Sequence, residues 1–526
     1  MTVKLAFHGA AGCVTGFCAH LTTGKAQVLI DCGLFQGPKT LKALNYDPFP
    51  FEPKRLDAVL LTHAHIDHSG QLPKLMRAGF GGPIYATAAT RDLCGVLLPD
   101  AGHIQEDEVR FLNRRNEHRG RGPVTPIFTA RDAERIMRQF EKVKYGEWDE
   151  VAPGIRARYW NAGHILGSAS IEVEIDEADG PLRLLFSGDL GPGGRDYEAD
   201  PDAPTQGLHH LIMESTYGDR EREALDPAAR RRALAQELKD AHAAGGPLVI
   251  PAFAVERTQE LLADLVQVMD SGDAPAGDIF LDSPLAIKAT DVFLQRGWQQ
   301  DGHNPFAGIQ APGRIFPLAS PRDSDQLERL RGWHIIMAAS GMCDAGRIRK
   351  HLKRLLWREE ATVLLSGFQA AGTLGRLLQE GREMVRIQGE PVRVRARIRY
   401  FDAYSGHADA KGLVNWAKAR GAVAGKVFLL HGEPASRMGL QQRLSGGVFP
   451  ADQIVLPGMD QAFILSTATA ADTGEPCRIA TEATTAFDWH NVRAELLNDL
   501  ELKLEEAASD GERRRILDRL KVALGR

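Results

Sequence analysis

The sequence predicts an α/β fold in which one domain is interrupted by an inserted parallel α/β unit and then completed. Three observations carry this prediction. The first 217 residues hold short apolar runs of strand length, each ending in a glycine-rich or polar turn, such as VKLAFHG, AQVLIDCG and LRLLFSGD. From about residue 220 to 395, helices alternate with short apolar strands, the pattern of a parallel sheet. Strand-like runs of the first kind then return at Val392–Phe401 and Lys426–Gly432.

In chain order, Asp57–Thr62 (DAVLLT) reads as a strand that ends directly in HAHIDHSG, and Gln71–Gly79 as a helix with a glycine stop. Residues 90–145 are helical and charged, with a basic cluster at Arg110, Arg114, Arg115, Arg119 and Arg121. Strands follow at Ile155–Trp160, Ser170–Ile175 and Leu182–Phe186. Within the insert the helices are Pro227–Ala244 and Arg257–Asp270, and the strands Pro247–Pro251, Asp278–Leu281, His334–Ala338 and Ala361–Leu365. The expected boundaries are 1–217 for the first part, 218–393 for the insert, 394–465 for the completing segment, 466–490 for a polar linker and 491–526 for a helical tail. Leu496, Leu497, Leu500 and Leu504 have helical spacing. The tail therefore docks on the body, pairs two copies in a homodimer, or stays solvated.

Of 526 residues, 43% are hydrophobic and 25% charged, which excludes disorder as the main state. Net charge is −5, so no basic field covers the molecule and nucleic-acid binding needs a local patch. The six cysteines (Cys13, Cys18, Cys32, Cys94, Cys343, Cys477) form no C-x-x-C pair, against a disulfide framework or thiolate zinc site. No signal peptide or long apolar run is visible, so a cytoplasmic protein without a membrane partner is expected.

The strongest motif is His63-Ala-His65-Ile-Asp67-His68. Zinc takes neutral imidazoles and carboxylates, and a catalytic site keeps one position open. His63 and His65 lie two apart at a strand end, where an extended chain points alternate residues the same way. Asp67 and His68 follow where the loop turns into a helix, and can face a second ion. The bland alternative is a chance histidine cluster in a solvated loop. Asp31, His164, Asp189 and His431 each follow or end a strand-like run. Singly, each is more often structural; their order and flanks carry the reading.

HAHIDH with GH, SGD and HGE downstream resembles the metallo-β-lactamase superfamily of binuclear zinc hydrolases. The resemblance implies that His63, His65 and His164 hold one zinc, that Asp67, His68 and His431 hold the other, and that Asp189 bridges them. Asp31 is similar to the family's aspartate that orients ligands without binding metal. Met213–Gly218 (MESTYG), Ser405–Asp409 (SGHAD) and His431–Glu433 (HGE) resemble motifs A, B and C of the β-CASP nucleases. So do His8–Cys18, Pro251–Glu260, Asp282–Ala286, Ala339–Arg347 and Ser366–Arg376. The implied fold is a metallo-β-lactamase αββα sandwich with an inserted parallel α/β β-CASP domain.

The implied activity is zinc-dependent hydrolysis of single-stranded RNA. Two Zn2+, roughly 3.5–4 Å apart, would make a shared water nucleophilic, oriented by Asp67 or Asp189. The products would carry 5′-phosphate and 3′-hydroxyl ends. His407, similar to the motif B histidine, is the candidate general acid, and Glu214 would hold its imidazole. The glycine-rich turns suit phosphate on physical grounds as well, because they expose backbone N–H groups at helix starts. Ser340, Gly341, Arg347, Ser366, Gly367, Gly372, Thr373 and Arg376 are the candidate RNA contacts; packing turns are the alternative. Arg393, Arg395, Arg397 and Arg399 fall on one face of an expected strand, which favours a guarded edge over a phosphate track. A DNA nuclease, a hydrolase of small esters, thioesters or lactams, and a non-catalytic RNA-binding subunit are the competing functions.

Overall fold

A computed structural model of the chain describes all residues except 1, 119, 179, 197, 223–225, 297–304, 311–312, 371, 480–488 and 524–526, and omits the side chains of 489–491, 494, 495, 498 and 502. Arg119 of the expected basic cluster therefore lies outside the described residues, as does much of the expected linker.

Two mixed sheets form the first body. One runs in the order Ala470–Asp472, Ala462–Leu465, Val3–Gly9, Cys18–Thr22, Gln27–Ile30, Ala58–Leu60, Ile84–Thr87, Phe140–Val143. The other runs Ile454–Val455, Val427–Leu430, His210–Glu214, Leu182–Phe186, Ala169–Ile175, Ile155–Asn161, Trp148–Ala152. Both sheets thus combine strands from the start of the chain with strands from beyond residue 420. Their inner faces share a single apolar cluster that includes Leu5, Phe7, Ile30, Tyr159, Val173, Phe186, Phe428 and Leu430. Phe7 and Phe428 meet with ring centroids 5.3 Å apart. Truncating a ring such as Phe186, which is 1% exposed, would cost roughly 3–5 kcal/mol in lost burial and cavity formation.

A separate sheet takes five strands from the insert, Ile315–Pro317, Ile279–Leu281, Ile335–Ala338, Leu248–Pro251 and Thr362–Leu365 in that order, and a sixth, Arg397–Tyr400, from past the insert's expected end at residue 393. Every pairing in it is parallel. Its central strands read LVIP, IIMA and TVLL and are buried throughout, as strands covered on both faces must be. One apolar cluster contains both Leu93 and Leu97, from the long helix Ala88–Glu117, and Leu261, Leu265, Ala286 and Ala289 of the insert. The insert therefore packs onto the sandwich.

Two stretches differ from the sequence reading. The stretch Val392–Phe401 is not one strand: Glu390–Arg393 closes a hairpin with Met384–Ile387, and Arg397–Tyr400 joins the parallel sheet. Its arginines are neutralised locally, Arg393 by Glu505, Arg395 by Glu359 and Arg399 by Glu237. Polar composition also misled at residue 466, because Ala470–Asp472 is an edge strand paired with Ala462–Leu465. Beyond it, Arg478 donates to both carboxylate oxygens of Asp460 at 2.7 Å. The tail forms helices Trp489–Glu506 and Asp510–Ala523, the first tied to the hairpin through Arg386–Glu501 (2.7 Å) and Arg393–Glu505 (3.3 Å). Among the described residues, no helix is long and apolar enough to cross a membrane.

Candidate metal centre

The chemistry-bearing residues collect at one end of the sandwich because each follows a short buried strand. Asp31 comes directly after Gln27–Ile30, His63 three residues after Ala58–Leu60, Asp189 three after Leu182–Phe186, and His431 directly after Val427–Leu430. His164 sits in the turn between Ile155–Asn161 and Ala169–Ile175. His65 occupies the N-terminal boundary of the one-turn helix Ile66–Ser69, which carries Asp67 and His68. Asp31 and His431 both adopt positive φ (61° and 47°), turning the chain sharply where the strand stops.

Two groups of donors share Asp189. In the first, Nδ1 of His65 lies 3.2 Å from Nε2 of His63 and 3.1 Å from Nε2 of His164. Oδ2 of Asp189 stands 3.5 and 3.6 Å from the same two Nε2 atoms. In the second, Nε2 of His68 and Nε2 of His431 are 3.3 Å apart, and Asp67 Oδ2 is 3.4 Å from His431 Nε2. Oδ1 of Asp189 lies 3.4 Å from His68 Nε2 and 3.4 Å from His431 Nδ1. The structure thus brings together His63, His65, Asp67, His68, His164, Asp189 and His431.

The surrounding hydrogen bonds set which nitrogen faces inward. His68 Nδ1–H donates to Asp31 Oδ2 at 2.7 Å. Asp31 also accepts from the backbone N–H and the hydroxyl of Thr62, at 2.7 and 2.8 Å. With its proton given to Asp31, the Thr62 hydroxyl accepts from His63 Nδ1–H at 3.0 Å. His164 Nδ1–H donates to the Gly406 carbonyl at 2.8 Å. Nε2 of His63, His68 and His164 is therefore left with its lone pair toward the cluster, as a cation requires. Thr216 Oγ1, 3.0 Å from His431 Nδ1, braces the fourth imidazole.

Electrostatics agree with a cation site. Burial holds His63 and His164 well below the usual imidazole range and brings His65 down to about 4. At Asp189 burial is outweighed by His431, His68 and His407, which hold the carboxyl well below its ordinary value. At His68 burial is outweighed by Asp189 and Asp31, which raise it well above, so these carboxylates draw onto the ring a positive charge that a bound cation would supply in its place. Asp189 Oδ1 and His65 Nε2 are buried and have no hydrogen-bond partner among the described residues. Neutral imidazoles, carboxylates and a buried carboxylate oxygen left unpaired fit divalent metal, and this donor set is one that zinc accepts.

His407 stands beside the cluster, its ring centroid 4.6 Å from that of His164. Its Nδ1–H donates to Glu214, with both carboxylate oxygens at 3.1 Å, and its Nε2 lies 3.9 Å from Asp189 Oδ2. His65, Asp67 and His407 are the partly exposed members, which marks the open side.

The candidate RNA contacts divide. Ser340, Gly341, Ser366, Gly367, Gly372 and Thr373 lie in loops; Gly341 sits against Phe253, whose ring centroid is 6.4 Å from that of His65, and Gly367 against the Arg257 guanidinium. Thr373 caps helix Leu374–Gln379. Arg347 and Arg376 already have partners within the chain, that of Arg376 at the surface. Arg347 donates to Asp282 and to the carbonyls of Leu318 and Ala319, and Arg376 to Glu380. Sequence reasoning missed Thr62, Thr216, Gly406, Arg195 and Glu256. Thr62 precedes His63, and Thr216, Gly406 and Glu256 lie inside motifs named from the sequence without a role of their own; nothing in spacing singles out Arg195.

Three family models match the chain: the metallo-beta-lactamase superfamily over residues 11–231, the Beta-Casp domain over 258–378 and the Zn-dependent metallo-hydrolase RNA specificity domain over 391–451. The chain is 35% identical over 447 residues to a ribonuclease of Thermus thermophilus, covering 83% of this chain and 95% of that protein. It is 31% identical over 439 residues to an RNase J-like protein of Methanocaldococcus jannaschii, covering 82% and 93%. Identity to the transcription termination factor FttA of Methanothermobacter thermautotrophicus is 32% over 436 residues, covering 79% of this chain and 65% of that factor.

Proposed function

The chain belongs to the β-CASP branch of the metallo-β-lactamase superfamily, and from that premise we propose that it is a zinc-dependent ribonuclease. In this reading it hydrolyses phosphodiester bonds of single-stranded RNA and leaves 5′-phosphate and 3′-hydroxyl ends. The observation that carries the reading is the set of donor groups that meet around Asp189, with His407 on the open side and close enough to Asp189 and His431 to belong to one of them. His63, His65 and His164 would hold one Zn2+, and Asp67, His68 and His431 the other, with Asp189 shared. Two such ions, when bound, offset phosphate charge and make water nucleophilic near neutral pH.

The chain's own residues bind, orient and move one proton. Asp31, Thr62, Thr216 and the Gly406 carbonyl fix the ring orientations of the ligands. Glu214 accepts from His407 Nδ1 and so turns Nε2 toward the site, where a proton on that nitrogen would pass to the leaving 3′-oxygen. The backbone of Gly341, Ser366, Gly367 and Gly372 supplies N–H groups for flanking phosphates, while Ser340 and Thr373, whose N–H groups donate to the carbonyls of Ala345 and Ala370, brace those loops together with Arg347 and Arg376. The partly buried rings of Phe253 and Phe368 add stacking surface, which suits single-stranded RNA. The relatives named as ribonucleases support the substrate class.

Parallel digestion of matched RNA and DNA oligonucleotides, alongside a chromogenic lactam and a thioester, tests this. The expected result is cleavage of single-stranded RNA with little turnover of the others. Faster hydrolysis of DNA or of a small ester would replace the reading.

A further inference from the structure

We infer that the buried ion pair between Arg195 and Glu256 is a positioning device, holding His164 and the His407 loop in the geometry that hydrolysis needs. This rests on the ribonuclease reading above. Glu256 lies between the strand Leu248–Pro251 and the helix Arg257–Asp270, with φ 71° and ψ −69°. The Arg257 N–H donates to the Val255 carbonyl at 3.0 Å, so Glu256 is the central residue of the rarer, positive-φ form of the γ-turn. A residue with a Cβ rarely adopts this conformation and keeps it only where its surroundings over-determine it. Here the surroundings are charged partners. The side chains of Arg195 and Glu256 are 6% and 5% exposed and meet at 2.7 Å.

The pair joins the insert to the segments that build the cluster. Glu256 Oε2 accepts from the backbone N–H of Leu166 at 3.2 Å. Arg195 Nη1 donates to the carbonyl of His164 at 3.1 Å, and Nη2 to the carbonyl of Ser405 at 2.8 Å. Ser405 is followed by Gly406, whose carbonyl takes the His164 Nδ1 proton, and then by His407. His164 is thus fixed at its peptide carbonyl by Arg195, at its ring by Gly406, and two residues later by Glu256. The same guanidinium sets where the His407 loop starts. A buried pair serving only as cement between segments would not need a strained backbone, nor bonds to both histidine-bearing loops.

Glu256→Gly separates the two roles, since glycine accepts the positive φ while the carboxylate is lost. The expected result is a thermal midpoint within a few degrees of wild type, kcat on single-stranded RNA about 10- to 100-fold lower, KM within about threefold, and zinc bound about tenfold more weakly in a chelator competition. Glu256→Gln, which keeps an acceptor for Leu166 but not the charge, should fall between; if the glycine variant does not fold, this variant decides in the same way. Wild-type kcat and wild-type zinc affinity in the folded variant would overturn the inference, as would a loss confined to KM. The zinc competition needs no RNA, so if the wild type fails to cleave RNA, the ribonuclease reading falls while the positioning role of the pair is still decided.

Discussion

Both carboxylate oxygens of Glu214 lie 3.1 Å from Nδ1 of His407, and the opposite nitrogen of that ring is 3.9 Å from Asp189 Oδ2. Glu214 is itself held by the Leu190 N–H at 2.6 Å, so it cannot follow the ring elsewhere. One nitrogen of His407 is anchored and the other faces the site.

His407→Ala is therefore expected to lower single-turnover cleavage of RNA by about 10²- to 10⁴-fold, the range of one general acid, with zinc content unchanged. Glu214→Gln should lose part of this. If zinc departs together with activity, His407 serves as a ligand and the acid lies elsewhere.

Asp31 touches no position at which the two donor groups meet, yet it fixes His68 directly and His63 through Thr62. Asp31→Asn is expected to weaken zinc binding about 10- to 100-fold, read by competition with a chromophoric chelator. Unchanged affinity would show that ring orientation is set by other contacts.

Gly406 packs directly on His164: a Cβ there would lie 2.9 Å from its Cε1 and 3.1 Å from its Nδ1. Gly406→Ala is expected to push His164 aside and lower RNA cleavage at least tenfold, with the far-ultraviolet circular dichroism spectrum retained. Wild-type activity in this variant would mean that the motif B loop can yield.

These positions show what sequence can and cannot reveal. The clustering of His63, His65, Asp67 and His68 was legible because one loop carries them all, and that of His164, Asp189 and His431 because each ends a strand-like run in motif order. The parallel insert was legible from alternating helices and short apolar strands such as LVIP and TVLL. The pairing of Arg195 with Glu256 was not, although Glu256 lies in the motif Pro251–Glu260, since an ion pair between residues 61 positions apart leaves no spacing signal. Arg347 and Arg376 looked like phosphate ligands because charge beside a glycine-rich turn is visible in sequence, whereas the Asp282 and Glu380 that take up that charge are not marked as partners. The strand at Ala470–Asp472 was hidden by its polar composition; an edge strand has one ladder side to fill and little to bury.

Asp460 gives a pH dependence of stability. Burial would raise its carboxyl, but the bonds from Arg478 and His8 bring it to about 2, below its ordinary 3.8. A lowered carboxylate stabilises the fold above its unfolded value, and that contribution is lost as pH falls through the folded one. In urea unfolding, the gap between wild type and Asp460→Asn should be full at about pH 5 and close between about pH 4 and 2. A gap independent of pH would remove this assignment.

The most direct test of the account is digestion of single-stranded RNA, labelled at the 5′ or 3′ end, by zinc-loaded protein with and without chelator. The account expects cleavage that stops with chelator, returns with added zinc, and yields 5′-phosphate and 3′-hydroxyl ends. Intact RNA in the presence of fully loaded protein, or cleavage that persists after the metal is removed, would contradict it.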